Sequence, residues 1–214
     1  MTVKENLKKI SKEIEQYHPK IIAVTKYYNE EKMIEAFNAG LRDFAESKAV
    51  EAVKKINNID DTTKSQSVYH FIGHLQTNKV KYVVGNFEYI HSVDSLKIAQ
   101  YIDLEAKKKG IIQKILIQVN NAQETQKFGI PVVQLENLIN EVKKLNSIEL
   151  VGLMNIAPLT EDEEELQRLF LEMKELKEKF NLKELSMGMS HDYKLAVKCG
   201  ATMIRLGRIL FENN

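Results

Sequence analysis

Lys26 closes the run IIAVTK, residues 21–26, in which an apolar stretch ends on an amine. A lysine at the end of an apolar strand stands above an apolar floor, and burial disfavours the charged form of an amine. The neutral amine is the form that attacks a carbonyl carbon to give an imine. The plainer reading of the same position is a solvated lysine that merely ends a strand. Two further segments suit an anion: SMGMSHD (186–192) and RLGR (205–208). Gly188 and Gly207 let a backbone approach a ligand closely. Ser190 offers a hydroxyl and can cap a following helix, and Arg208 adds positive charge. Backbone N–H groups at such a helix start favour a phosphate. Their plainer readings are an N-cap serine and a turn glycine.

These residues need elements to hold them. Short β-branched runs alternate with longer amphipathic stretches. The candidate strands are 21–26, 43–47, 69–74, 89–94, 115–120, 150–155, 184–190 and 203–207. Helices are predicted over 3–17, 30–40, 95–109, 131–145 and 161–180. The last runs from acidic 161–165 to Lys177 and Lys179, the order a helix dipole favours. Strands alternating with helices imply parallel pairing and right-handed crossovers. Eight units predict a closed (β/α)8 barrel, with a doubly wound open sheet as the alternative. In such a barrel chemistry sits where strands end, and anion sites commonly follow the seventh and eighth strands. That is where Lys26, Ser190 and Gly207 fall. NNIDDTTKSQS (57–67) reads as an exposed loop.

The 214 residues suit one domain over 1–214. A net charge of +1 gives no field toward nucleic acid or an anionic membrane. Cys199 is the only cysteine, so no intrachain disulfide forms and a reducing cytoplasm fits. The polar N-terminus is unlike a signal peptide, and no apolar run approaches the roughly 20 residues of a membrane span. His70 and His74 lack carboxylate or thiolate partners at ligand spacing, so no metal is expected. Met187 and Met189 read as core, Cys199 as a buried small hydrophobe, and Asp94 and Asp192 as caps. The lysine pairs at 54–55, 107–109 and 143–144 read as solvated helix faces.

AVTK (23–26), HFIGHLQTNKVK (70–81), FGIP (128–131), GLMNIAP (152–158), LSMGMSHDYKLAVKCGATMIRLG (185–207) and LF (210–211) occur in the order of one family. On these segments the chain resembles the YggS/PROSC family of pyridoxal 5′-phosphate (PLP) homeostasis proteins. The resemblance implies a single (β/α)8 TIM barrel like the N-terminal domain of alanine racemase, with PLP held as a Schiff base on Lys26. It implies that Ser190, with the backbone around Gly207 and Arg208, holds the phosphate, and that Arg205 faces the pyridine nitrogen. Ser47 and Met154 are carried over as further cofactor-binding positions. The chain departs from the family pattern at Ala45 and Ser47, where FAES stands for FGEN, and at His191, Arg208 and Glu212.

PLP enzymes that form carbanions often set an acid against the ring nitrogen to keep it electron-withdrawing. An arginine is a permanent donor and does the reverse. Alanine racemases share that arginine but take a second base from another domain, for which a chain ending at 214 leaves no room. Tyr27, Tyr28, His70 and His74 are the neighbours available by strand position. The expectation is therefore a non-catalytic PLP carrier in vitamin B6 balance, cytoplasmic and monomeric. PLP-dependent apo-enzymes are its candidate recipients. The alternative is a PLP-dependent racemase. A lysine-imine aldolase on the same barrel is a third, weaker reading.

Overall fold

The computed structural model describes residues 2–122 and 128–212. Among them β1 (Lys20–Val24), β2 (Asp43–Glu46), β3 (Val68–Phe71), β4 (Tyr89–Val93), β5 (Gln113–Gln118), β6 (Ile148–Met154), β7 (Glu184–Ser186) and β8 (Met203–Leu206) close in chain order into a parallel barrel. Closure sets β1 against β8, with Ile22 opposite Arg205 and Ala23 opposite Leu206. The expected (β/α)8 barrel is found, and the open sheet is excluded.

Four expected strands run two or more residues too far, β5 ending at Gln118 and the other three bearing on the site. β1 stops at Val24, so Lys26 lies in the turn beyond the strand and does not end it. β3 stops at Phe71, short of His74, and β7 at Ser186, short of Ser190. Side chains keep alternating at the barrel rim after the backbone has left the hydrogen-bond ladder, so a period-two pattern overshoots there.

The helices are α1 (Val3–Glu13), α2 (Glu30–Asn38), α3 (Ala49–Asn58), α4 (Asp61–Ser65), α5 (Val80–Val83), α6 (Leu96–Lys109), α7 (Val132–Val142), α8 (Glu163–Lys179), α9 (Tyr193–Lys198) and α10 (Arg208–Phe211). Their starts are chemically marked. Thr2 and Glu5 form a capping box on α1, and Asn29 and Asp162 cap α2 and α8. Ser95, not Asp94, caps α6. The segment 57–67 is not an open loop: it holds the end of α3 and all of α4, whose first turn Asp60 caps by accepting from the Thr63 amide.

Strand alternation sorts the side chains into two sets. Ala23, Phe44, Phe71 and Ile204 join the main core beneath the helices. Ile22, Ala45 and Met203 form a separate cluster, and Leu116, Val151 and Met154 another, inside the barrel. Met187 and Cys199 are buried as expected, whereas Met189 is only partly covered.

Candidate functional site

Lys26 stands in a tight turn, with the Tyr28 amide donating to the Thr25 carbonyl at 2.9 Å. The turn is clamped from outside. Lys55 on α3 donates to the carbonyls of Thr25 and Tyr28, both at 2.8 Å, and to Glu46 Oε1 at 2.6 Å. Thr25 Oγ1 also donates to Glu46 Oε1, at 2.7 Å. Lys55 and Glu46 are only 12% and 3% exposed, so the expectation of a solvated lysine pair at 54–55 fails for Lys55. Its ammonium replaces water for two rim carbonyls and a buried carboxylate. Lys26 is half-buried, and its ammonium has no hydrogen-bond or ion-pair partner among the described residues; Nζ lies 5.0 Å from the centre of the exposed Tyr27 ring.

Strand register brings the remaining residues to the same rim. β8 is paired with β1, so Gly207 and Arg208 lie beside the turn that follows Val24. The Arg205 amide donates to the Gly188 carbonyl at 3.0 Å, which sets the loop after β7 alongside β8. Gly188 has φ +91, and a Cβ there would stand 2.6 Å from the Ala196 Cβ, so this loop requires glycine. Ser190 is partly buried in a turn. It is not the helix cap expected of it: Asp192 occupies that position before α9, and its carboxylate accepts from the Met189 amide instead. The Arg208 side chain turns outward and donates to His191 Nε2 at 3.0 Å, leaving only its backbone toward the rim.

Arg205 is 4% exposed and has no carboxylate partner among the described residues. Nη1 donates to the Ser186 carbonyl and to Ser186 Oγ, and Nη2 to the Asn155 carbonyl, each at 2.8 Å. Burial pushes the guanidinium down to about 10, partly offset by the charge of Asp192, so it stays cationic at neutral pH. A guanidinium carries five N–H donors. The Nε hydrogen and one Nη2 hydrogen therefore remain unassigned among the described residues. Asn155 Oδ1 is buried without a partner among the described residues. Met154 is fully buried and closes the floor as part of an interior cluster.

Ser47 follows β2 and is half-buried. Gly73 packs onto it so closely that a Cβ would stand 2.0 Å from the Ser47 carbonyl oxygen. The four neighbours expected near Lys26 separate. Tyr27 is 82% exposed, and the Tyr28 hydroxyl donates to Glu212 at 3.1 Å. His74 stacks on Phe128 at 3.8 Å and pairs with Asp94 at 3.4 Å, the role Asp94 holds in place of a cap. His70 is inside the barrel and away from its mouth, with Nε2 2.9 Å from Asp43 and Nδ1 2.9 Å from His91. Sequence reasoning missed Glu46, Lys55 and His91. The only signal was a charged or ionisable residue at an inward strand position, as at His91.

The fold and this rim define an alanine-racemase-like barrel built around a lysine turn. The family model for "Alanine racemase, N-terminal domain" matches residues 2–214. The pyridoxal phosphate homeostasis protein of Synechocystis sp. is 40% identical over 198 residues, 90% of this chain and 90% of that protein. The protein of the same name from Aquifex aeolicus is 36% identical, covering 90% of this chain and 86% of its own. PipY of Synechococcus elongatus, solved with PLP bound, has a TM-score of 0.89 and 34% identity, covering 99% of this chain and all of that one. An alanine racemase of Clostridium difficile shares the fold at 16% identity with a TM-score of 0.77, and this chain spans 57% of it. The chain belongs to the YggS/PROSC family of pyridoxal phosphate homeostasis proteins.

Proposed function

We propose that this chain is one barrel domain over residues 1–214 that holds PLP on Lys26 and serves the supply of that cofactor without turnover of its own. The observation that carries the reading is the presence on one barrel rim of an amine at Lys26 without a hydrogen-bond or ion-pair partner among the described residues and a buried, cationic donor at Arg205. The residues fit the group. The unassigned N–H hydrogens of Arg205 suit a ring nitrogen that accepts, and Asn155, whose carbonyl Arg205 holds, has a buried Oδ1 without a partner among the described residues. When bound, PLP supplies an aldehyde carbon that takes up an amine reversibly with loss of water. The Lys26 turn holds the amine in place through Lys55 and Glu46. Ser190, with the Gly207 and Arg208 backbone, takes the phosphate. Ser47 flanks the site and Met154 supports it from below.

Arg205 weakens the electron sink, because a guanidinium does not give the ring nitrogen a proton to hold; alanine racemases work with the same arginine, so the reading without turnover rests on the homeostasis relatives. The names of the homologues point to homeostasis. We place the protein in the cytoplasm as a monomer, with PLP-dependent apo-enzymes as recipients. No described helix is long and apolar enough to cross a membrane.

The test is the visible absorbance of the purified protein with added PLP, followed by borohydride reduction and peptide mapping. A yellow band trapped on the Lys26 peptide and lost in Lys26→Ala is expected. Incubation with L- and D-alanine should leave the α-proton unexchanged; steady racemisation lost in Lys26→Ala would establish an enzyme instead.

A further inference from the structure

A line of polar side chains crosses the barrel interior from one mouth to the other. It begins at the C-terminal rim with Arg205 and Ser186, passes through His91 on β4 and His70 on β3, and ends on Asp43 at the start of β2. The successive contacts are Arg205 Nη1 to Ser186 Oγ at 2.8 Å, Ser186 Oγ to His91 Nδ1 at 2.9 Å, His91 Nε2 to His70 Nδ1 at 2.9 Å, and His70 Nε2 to Asp43 Oδ1 at 2.9 Å. Ser186, His91 and His70 are at most 1% exposed. Asp43 reaches solvent at the opposite mouth, where Lys20 pairs with it at 3.6 Å. Other charged or titratable groups near the histidines are Glu88, Tyr89, which stacks on His70 at 4.8 Å, and Lys114, which lies over Tyr89.

Only one arrangement of hydrogens satisfies this line. An ionised carboxylate only accepts, so His70 Nε2 carries the hydrogen. Both imidazoles are neutral, because burial holds each below the ordinary histidine value. His70 Nδ1 is then bare and accepts, so His91 Nε2 donates to it. His91 Nδ1 is bare in turn, so the Ser186 hydroxyl must donate there. The oxygen of Ser186 is left to accept from Arg205. Every donor points from Arg205 toward Asp43.

We propose that Ser186, His91, His70 and Asp43 form a one-directional hydrogen-bond relay that positions Arg205 for its ligand and ties its donor strength to the carboxylate at the far mouth. The relay positions and does no chemistry: no proton is gained or lost along it. It rests on the reading that Arg205 faces the ring nitrogen of PLP. Its hydrogen pattern exists without the cofactor, so it is open to measurement by itself.

The first measurement is the nitrogen NMR of the imidazoles in the full chain without PLP at neutral pH. Two neutral rings are expected, each with hydrogen on Nε2 and a bare Nδ1; hydrogen on Nδ1 of either ring would overturn the relay. Ser186→Ala removes the donor to His91 and should release its tautomer. It should also weaken PLP binding by about tenfold and shift the absorbance maximum of the bound cofactor, with Lys26 still trapped by borohydride. Ser186→Thr keeps a hydroxyl and should restore both readouts. A Ser186→Ala protein with unchanged tautomers, affinity and absorbance overturns the proposal even if the variant folds fully. A wild-type protein that never takes up PLP overturns the functional reading instead, and the tautomers still decide the relay.

Discussion

Lys55 is bonded to the carbonyl of Thr25, the residue before Lys26, at 2.8 Å across the rim of the barrel. The same ammonium holds the Tyr28 carbonyl and the Glu46 carboxylate, so one side chain of α3 sets both ends of the reactive turn. Lys55→Met keeps most of the apolar stem, removes the ammonium and leaves Glu46 buried with the Thr25 hydroxyl as its remaining partner among the described residues. Breaking a buried pair on one side should cost about 3 kcal/mol, read as a lower urea midpoint, and PLP binding should weaken with it. An unchanged midpoint would mean that the clamp is replaced by water.

Gly73→Ala tests the close approach of the loop after β3 to Ser47. A Cβ 2.0 Å from a carbonyl oxygen cannot be accommodated without backbone movement. The expected loss is about 3 kcal/mol, at the upper end for overpacking, measured by thermal unfolding. PLP affinity should fall at the same time, because Ser47 moves with the loop. A variant with the stability of the wild type would show that this rim is pliant.

Ser190 and Arg208 should separate in a binding titration. Ser190→Ala removes a hydroxyl from the proposed phosphate cradle and should raise the Kd for PLP about tenfold. Arg208→Ala should change it by less than about threefold, since the guanidinium is turned toward His191 and acts by screened charge. The reverse ranking would place the Arg208 side chain on the ligand.

Stability should fall on acidification. Burial lowers His70, with Asp43 opposing it, and lowers His91 further, helped by repulsion from His70 were both rings to be protonated and by the positive charges of Arg205 and Lys20. Below the ordinary value of 6.5 the unfolded chain takes up protons that the folded chain refuses. The unfolded state then binds more protons, so stability is full above that value and is lost as pH drops below it. The slope approaches about 1.4 kcal/mol per pH unit for each histidine. Urea unfolding between pH 8 and pH 5, a window taken at about the range where histidine titrates, measures it; His91→Gln should flatten the profile, and a flat wild-type profile would mean that the folded imidazoles take up protons as readily as the unfolded ones.

Strand and helix alternation in the sequence determined eight parallel units, because a βαβ chain can bury its strands only by parallel pairing; that β1 pairs with β8 and closes the barrel was decided by the tertiary structure. The same alternation, with AVTK and LSMGMS at two strand ends, determined which rim carries Lys26, Ser190 and Arg205. It also overran β1, β3 and β7, since side chains alternate past the point where the ladder ends. Tertiary structure alone decided that Lys55 turns inward from a helix whose neighbours are solvated, that Asp94 pairs with His74 rather than capping α6, and that His70 meets His91 and Asp43 inside the barrel. Each of these contacts joins residues on different elements. Closure of the barrel sets their distance, and local spacing carries no trace of it.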